Sequence, residues 1–157
     1  MLKHIVISLA VSAAVLSSSS AALALDTELL QQSGDSANRI DLAILGDGYR
    51  TADQDKFRTD ATNAMNAYFS TATGHQPFEA YRNYFNVKIV HVISNDAGAD
   101  NGSAGGLRDT ALGAAFNCQG IDRLICVNSA AVNSIVMTDA PEADIVLVVV
   151  NDSKYGG

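Results

Sequence analysis

Six aliphatic residues in succession, Ile145-Val146-Leu147-Val148-Val149-Val150, constrain this chain more than any other feature. A strand with one wet face alternates apolar and polar side chains, so an unbroken aliphatic run asks for cover on both faces. That is the pattern of a strand inside an α/β sheet, and it predicts a central place for residues 145–150. Burying the run contributes roughly 9 to 18 kcal/mol before the opposing chain entropy is counted. It opens into Asn151-Asp152-Ser153-Lys154-Tyr155-Gly156-Gly157, a loop at the carboxyl end of the strand, where α/β proteins place their ligands. Termination beside a strand suited to a sheet centre predicts that the domain continues past Gly157.

Upstream, Ile40, Leu42, Ala43, Ile44 and Leu45 form a second buried run ending in Gly46-Asp47-Gly48, a strand followed by a tight turn. Asp47 reads as the cap of that turn, with the glycines taking positive φ. Thr51 with Gln54 three residues on is a capping-box pattern, and Phe57, Ala61, Ala64 or Met65, and Tyr68 recur at helical spacing, predicting a helix over about 52–70. Pro77 opens a short turn carrying Phe78, Tyr81 and Phe85 toward the core, and Val87 to Ile93 is a second strand. Strand, helix, strand in this order predicts a right-handed crossover between parallel neighbours. Ser94 to Gly106 has almost nothing apolar to pack and reads as a long exposed loop, while 109–116 is ambiguous between a short helix and an irregular segment. Asn128 or Ser129 caps a further helix running to about Thr138.

The amino terminus has the three parts of a secretory signal: Lys3, an apolar run from Ile5 to Leu16, and Ala22-Leu23-Ala24 as a small-x-small cleavage site. The run of 12 residues is too short to span a bilayer, which takes roughly 20. Residues 1–24 are therefore expected to be removed, leaving 25–157 as one secreted or periplasmic domain. Without Lys3, nine basic residues face 17 acidic ones, a net charge of −8 that disfavours nucleic acid and anionic membrane as partners. In an oxidising compartment Cys118 and Cys126, eight apart, are expected to pair as a disulfide; two thiols alone make an incomplete zinc site.

The chemistry-bearing residues are few. Gly46-Asp47-Gly48-Tyr49-Arg50-Thr51 has the position of a dinucleotide fingerprint but carries Thr51 where the third glycine belongs, so nucleotide binding is not expected. His4 leaves with the signal, and His75 and His91 have no helical i, i+4 partner to hold a metal. Asp96, Asp100 and Asp109 offer oxygens that calcium accepts, although not at EF-hand spacing.

Several separated segments carry a resemblance. They are Arg39-Ile40-Asp41-Leu42-Ala43-Ile44-Leu45-Gly46-Asp47-Gly48-Tyr49, Tyr81-Arg82-Asn83-Tyr84-Phe85-Asn86-Val87, Arg108-Asp109-Thr110-Ala111-Leu112-Gly113, Gly120 to Val127, and Val148 to Gly157. Together they resemble the secreted bacterial zinc metallopeptidases of the IgA-peptidase type. The resemblance implies an α/β, zincin-like fold, a mixed sheet in two or three layers with packed helices, incomplete in this chain. It also implies a zinc endopeptidase acting on protein or peptide, whose metal lies on a downstream helix bearing His-Glu-x-x-His. That motif is absent from these 157 residues, so no metal ligand and no catalytic residue is assigned. The expected function is the amino-terminal portion of such an enzyme, inactive alone; the alternative is an exported non-catalytic binding module or a decayed gene product. By the resemblance, the last strand and Gly156-Gly157 lie against the substrate cleft.

Overall fold

The structure is a computed structural model that describes residues 25–70 and 77–156. The expected signal at 1–24 and His75 lie outside the described residues. Along the chain come strand β1 (Thr27–Gln31), strand β2 (Ile40–Asp47), helix α1 (Gln54–Tyr68), strand β3 (Phe85–Val90), the single turn α2 (Gly102–Gly105), helix α3 (Ser129–Asp139) and strand β4 (Ile145–Val150). The sheet is mixed, in the order β1-β3-β2-β4, with β2 parallel to both β3 and β4 and β1 antiparallel to β3.

The alternation of β2 divides the core into two layers. Leu42 and Ile44 pack with Phe57, Ala61 and Met65 of α1 and with Val87 and Ile89, whereas Ala43 and Leu45 pack with Val90, Leu112 and Val132 of α3. One helix on each face makes three layers, and β2-α1-β3 is the expected parallel crossover. Phe57 is fully buried against Tyr49, with ring centroids 5.1 Å apart, so the hinge from β2 into α1 is packed by its own aromatic residues.

Four expectations need correction. The aliphatic run 145–150 does form a strand, but β4 is not central. It pairs with β2 alone and lies at the sheet edge, with Ile145 and Val146 each 38% exposed. Both faces are partly covered, Leu147 and Val149 on the α1 side and Val148 on the α3 side; the lateral edge is bare. Second, Thr51 does not cap α1. Thr51–Asp53 is a 3-10 turn closed by the Asp53 carboxylate accepting from Arg50 N–H at 3.2 Å, and Gln54 turns back to donate to the carbonyls of Tyr49, Arg50 and Val92. Third, the second strand is Phe85–Val90, and β1 was not expected at all. Fourth, the glycine-rich loop is not uniformly exposed, because Ser94, Gly98 and Ala99 are buried.

Asn128 caps α3 as expected, its Oδ1 accepting from the amides of Ala130 and Ala131 at 3.0 and 3.2 Å. Residues 109–116 are irregular, with Ala115 bridging antiparallel to Cys126. Cys118 and Cys126 are joined by a disulfide, with Cα atoms 5.6 Å apart. A thiol titration of the unfolded, unreduced protein is accordingly expected to find no free thiol; two would show the bridge does not form.

Candidate functional site

The carboxyl ends of the parallel strands β2 and β4 gather four loops: 46–50, 94–102, 110–116 and 151–156. Asp47, the last residue of β2, is completely buried and organises them. Its Oδ1 accepts from Ser94 Oγ at 3.1 Å and from Leu112 N–H at 2.9 Å; its Oδ2 accepts from Thr110 Oγ1 at 2.9 Å and from Ala114 N–H at 2.8 Å. Four donors satisfy the carboxylate, and no cation among the described residues is paired with it; hydrogen bonds of this kind are what a buried charge requires. Asp47 is thus no local turn cap: its partners lie 47 to 67 residues away. Ser94 Oγ extends the network by accepting from the amides of Gly48 and Ala111, each at 3.0 Å.

Gly48 takes φ +71°, and its backbone meets that of Gly98 so closely that a Cβ there would lie 2.8 Å from Gly98 N. Two glycines in contact let loop 94–102 fold down onto the end of the sheet. Asn151 Nδ2 donates to the Gly48 carbonyl at 2.9 Å, and Asp152 Oδ2 accepts from Ala99 N–H at 3.2 Å, so the segment leaving β4 is tied to the same assembly. Beside it Tyr49 is buried and its hydroxyl donates to Asp60 at 2.8 Å; burial, then the Asp60 carboxylate, push the phenol well above its ordinary range and keep it neutral.

A groove of about 410 Å³ lies against the α3-side face at the carboxyl end of β4, walled by Ile125, Val148, Val150, Asp152, Lys154 and Gly156. Lys154 Nζ donates to Asn101 Oδ1 at 3.0 Å and Asp122 Oδ1 at 2.9 Å and stands 4.6 Å from the centre of the Phe116 ring. The groove has an apolar wall and one fixed cation at its end, an arrangement able to receive an extended or helical segment. It contains no nucleophile paired with a base. A larger apolar hollow of about 700 Å³ at Phe78, Tyr81 and Tyr84 adjoins the amino ends of β2 and β3, remote from these loops.

The residues considered as metal ligands are not brought together. His91 sits at the end of β3 with Nδ1 3.0 Å from Gln54 Oε1, its ring edge-on to Phe57 and Nε2 4.0 Å from Glu28. Asp96 and Asp100 spend carboxylate oxygens on the amides of Asp109 and Arg108, and Asp109 accepts from Asn95 Nδ2 at 2.8 Å. These oxygens hold loop turns rather than converging on a point. Among the described residues no three His, Cys, Asp or Glu side chains are placed to hold a metal ion, so the residues present do not fit a peptidase zinc centre and no reaction step is assigned to them. The sequence pointed to the loop holding Asn151, Asp152 and Lys154 by its place after an aliphatic run, but not to the joining of Asp47 and Ser94 in one buried network beside it.

No helix among the described residues is long and apolar enough to cross a membrane. A comparison with curated proteins returned no match. A comparison with family models matches IgA Peptidase M64 over residues 28–157, from β1 to the loop that leaves β4. The sheet, the loops at its carboxyl edge and the groove all fall within that span, and the chain belongs to the IgA peptidase M64 family, with a domain of metallopeptidase type.

Proposed function

We propose that this chain is the amino-terminal portion of a secreted zinc-dependent endopeptidase, supplying the scaffold and one wall of a peptide cleft while the metal-bearing helix comes from sequence beyond it. The observation that carries this reading is β4. An aliphatic strand covered in part on both faces, with a bare edge and a groove against one face, is shaped to be joined by more protein. Family membership supplies the class of reaction, and the missing His-Glu-x-x-His supplies the reason to seek the chemistry elsewhere. Export is supported by the amino-terminal pattern and is consistent with the disulfide. The acidic balance favours a protein or peptide substrate over nucleic acid, and no membrane partner is proposed once the signal is cleaved.

The purified 157-residue chain is expected to bind no stoichiometric zinc and to cleave no protein. A longer product read through codon 157, if it contains His-Glu-x-x-His, is expected to bind one zinc and to hydrolyse an unfolded protein substrate, losing that activity to a chelator and regaining it with added zinc. Proteolysis by the short chain alone would overturn the reading. An authentic stop after Gly157, with no partner chain that restores activity, would favour an exported non-catalytic module or decayed gene product.

A further inference from the structure

The loop closed by Cys118 and Cys126 holds an unfavourable backbone. Asn117 and Gln119 take φ +60° and +55°, beside Gly120 at +78°, and a side chain in that region crowds the following carbonyl. Asn117 N–H, just before the loop, donates to the Asp122 carbonyl at 3.2 Å, and within it Cys118 N–H donates to the Leu124 carbonyl at 3.1 Å. Two of its residues reach the segment leaving β4. Asp122 accepts from Lys154 Nζ at 2.9 Å, and Ile125 packs so closely on Gly156 that a Cβ there would lie 2.7 Å from Ile125 Cγ1. The Asp122 side chain is 85% exposed, so its ion pair alone contributes little. Its force depends on the loop holding Asp122 in place while Asn101 and the Phe116 ring fix the other side of Lys154.

We propose that the Cys118–Cys126 disulfide is a redox-sensitive clasp that sets the path of residues 151–156, acting through Asp122 and Ile125 on Lys154 and Gly156. Cys126 is exposed, so a small dithiol has access to the bridge. The exchange balances: the S–S bond breaks, two electrons and two protons pass to Cys118 and Cys126 as two thiols, and the dithiol leaves as its own disulfide. Without the cross-link the left-handed residues relax and the loop loses its hold on Lys154. In a chain exported as proposed above, the clasp would be open in the reducing cytosol and closed outside, so the wall of the groove would take its shape only after export.

Amide hydrogen exchange of the purified chain, with and without dithiothreitol, tests this independently of export and of any peptidase activity. Reduction is expected to quicken exchange about tenfold both at 115–126 and at Asn151, Asp152 and Lys154, while Ile44 in β2 stays protected. Lys154→Met, with the disulfide intact, is expected to quicken 151–154 alone, and reduction should then add nothing there. Faster exchange confined to 115–126 would overturn the proposal, as would no change at all or acceleration that includes Ile44.

Discussion

Asp47→Ala is expected to lower the unfolding free energy by about 4 kcal/mol, which for a domain of this size lowers the melting temperature by roughly 15 °C. The estimate follows from what the carboxylate leaves behind. The hydroxyls of Ser94 and Thr110 can rotate to other acceptors, but the amides of Leu112 and Ala114 are fixed in a buried loop and lose the carboxylate oxygens that accept from them. Each unsatisfied buried donor costs about 1–3 kcal/mol. Asp47→Asn keeps the shape and one acceptor and turns an NH₂ toward a donor, so about half the loss is expected. Urea denaturation followed by far-ultraviolet circular dichroism measures both, and tyrosine emission serves as a second probe because the chain has no tryptophan. A midpoint shift in Asp47→Ala worth less than about 1 kcal/mol would mean that water enters and replaces the carboxylate.

This residue also marks the limit of what the chain discloses locally. Runs of one residue type report on nearest neighbours, so β2, α1, α3 and the crossover between β2 and β3 were legible from spacing alone, as was the cap at Asn128. Asp47 was read as a turn residue because its true partners are Ser94, Thr110, Leu112 and Ala114, and a contact across 47 to 67 positions leaves no trace in a local pattern. Strand β1 was missed for a related reason. Thr27-Glu28-Leu29-Leu30-Gln31 shows no clean alternation, and it is a strand because β3 supplies the ladder, with an irregular register at Leu29 and Gln31.

The position of β4 was misread differently. An aliphatic run records how much cover a strand needs, and says nothing of whether the same chain supplies it. Ile145 to Val150 does form a strand, but none of its six residues is fully buried, and among the described residues it pairs with β2 alone. The glycine-rich loop 94–102 failed in the opposite direction. Small residues contribute little to hydrophobic pattern, yet Ser94, Gly98 and Ala99 are buried because their size lets the backbone approach Gly48 and because Asp47 and Asp152 satisfy its polar groups. A loop that looks solvated by composition is held down by side chains from the ends of two strands.

That close approach carries the second large effect. Gly48→Ala is expected to cost about 3 kcal/mol, combining left-handed backbone strain with overpacking. At φ +71° the added methyl would lie 2.8 Å from Gly98 N and 2.9 Å from Gly98 C, and these are backbone atoms that cannot swing aside as a side chain would. Either loop 94–102 lifts from the sheet, or Gly48 turns and withdraws the carbonyl that Asn151 Nδ2 and Gly98 N–H use. Gly102→Ala separates the two contributions, since Gly102 has a similar φ of +55° and nothing within 4 Å of a new Cβ; it should cost about 1 kcal/mol from strain alone. Urea midpoints of the two variants give the difference directly. Equal losses would show that the Gly48–Gly98 contact yields easily, and that the carboxyl edge of the sheet is less rigid than its hydrogen bonds indicate.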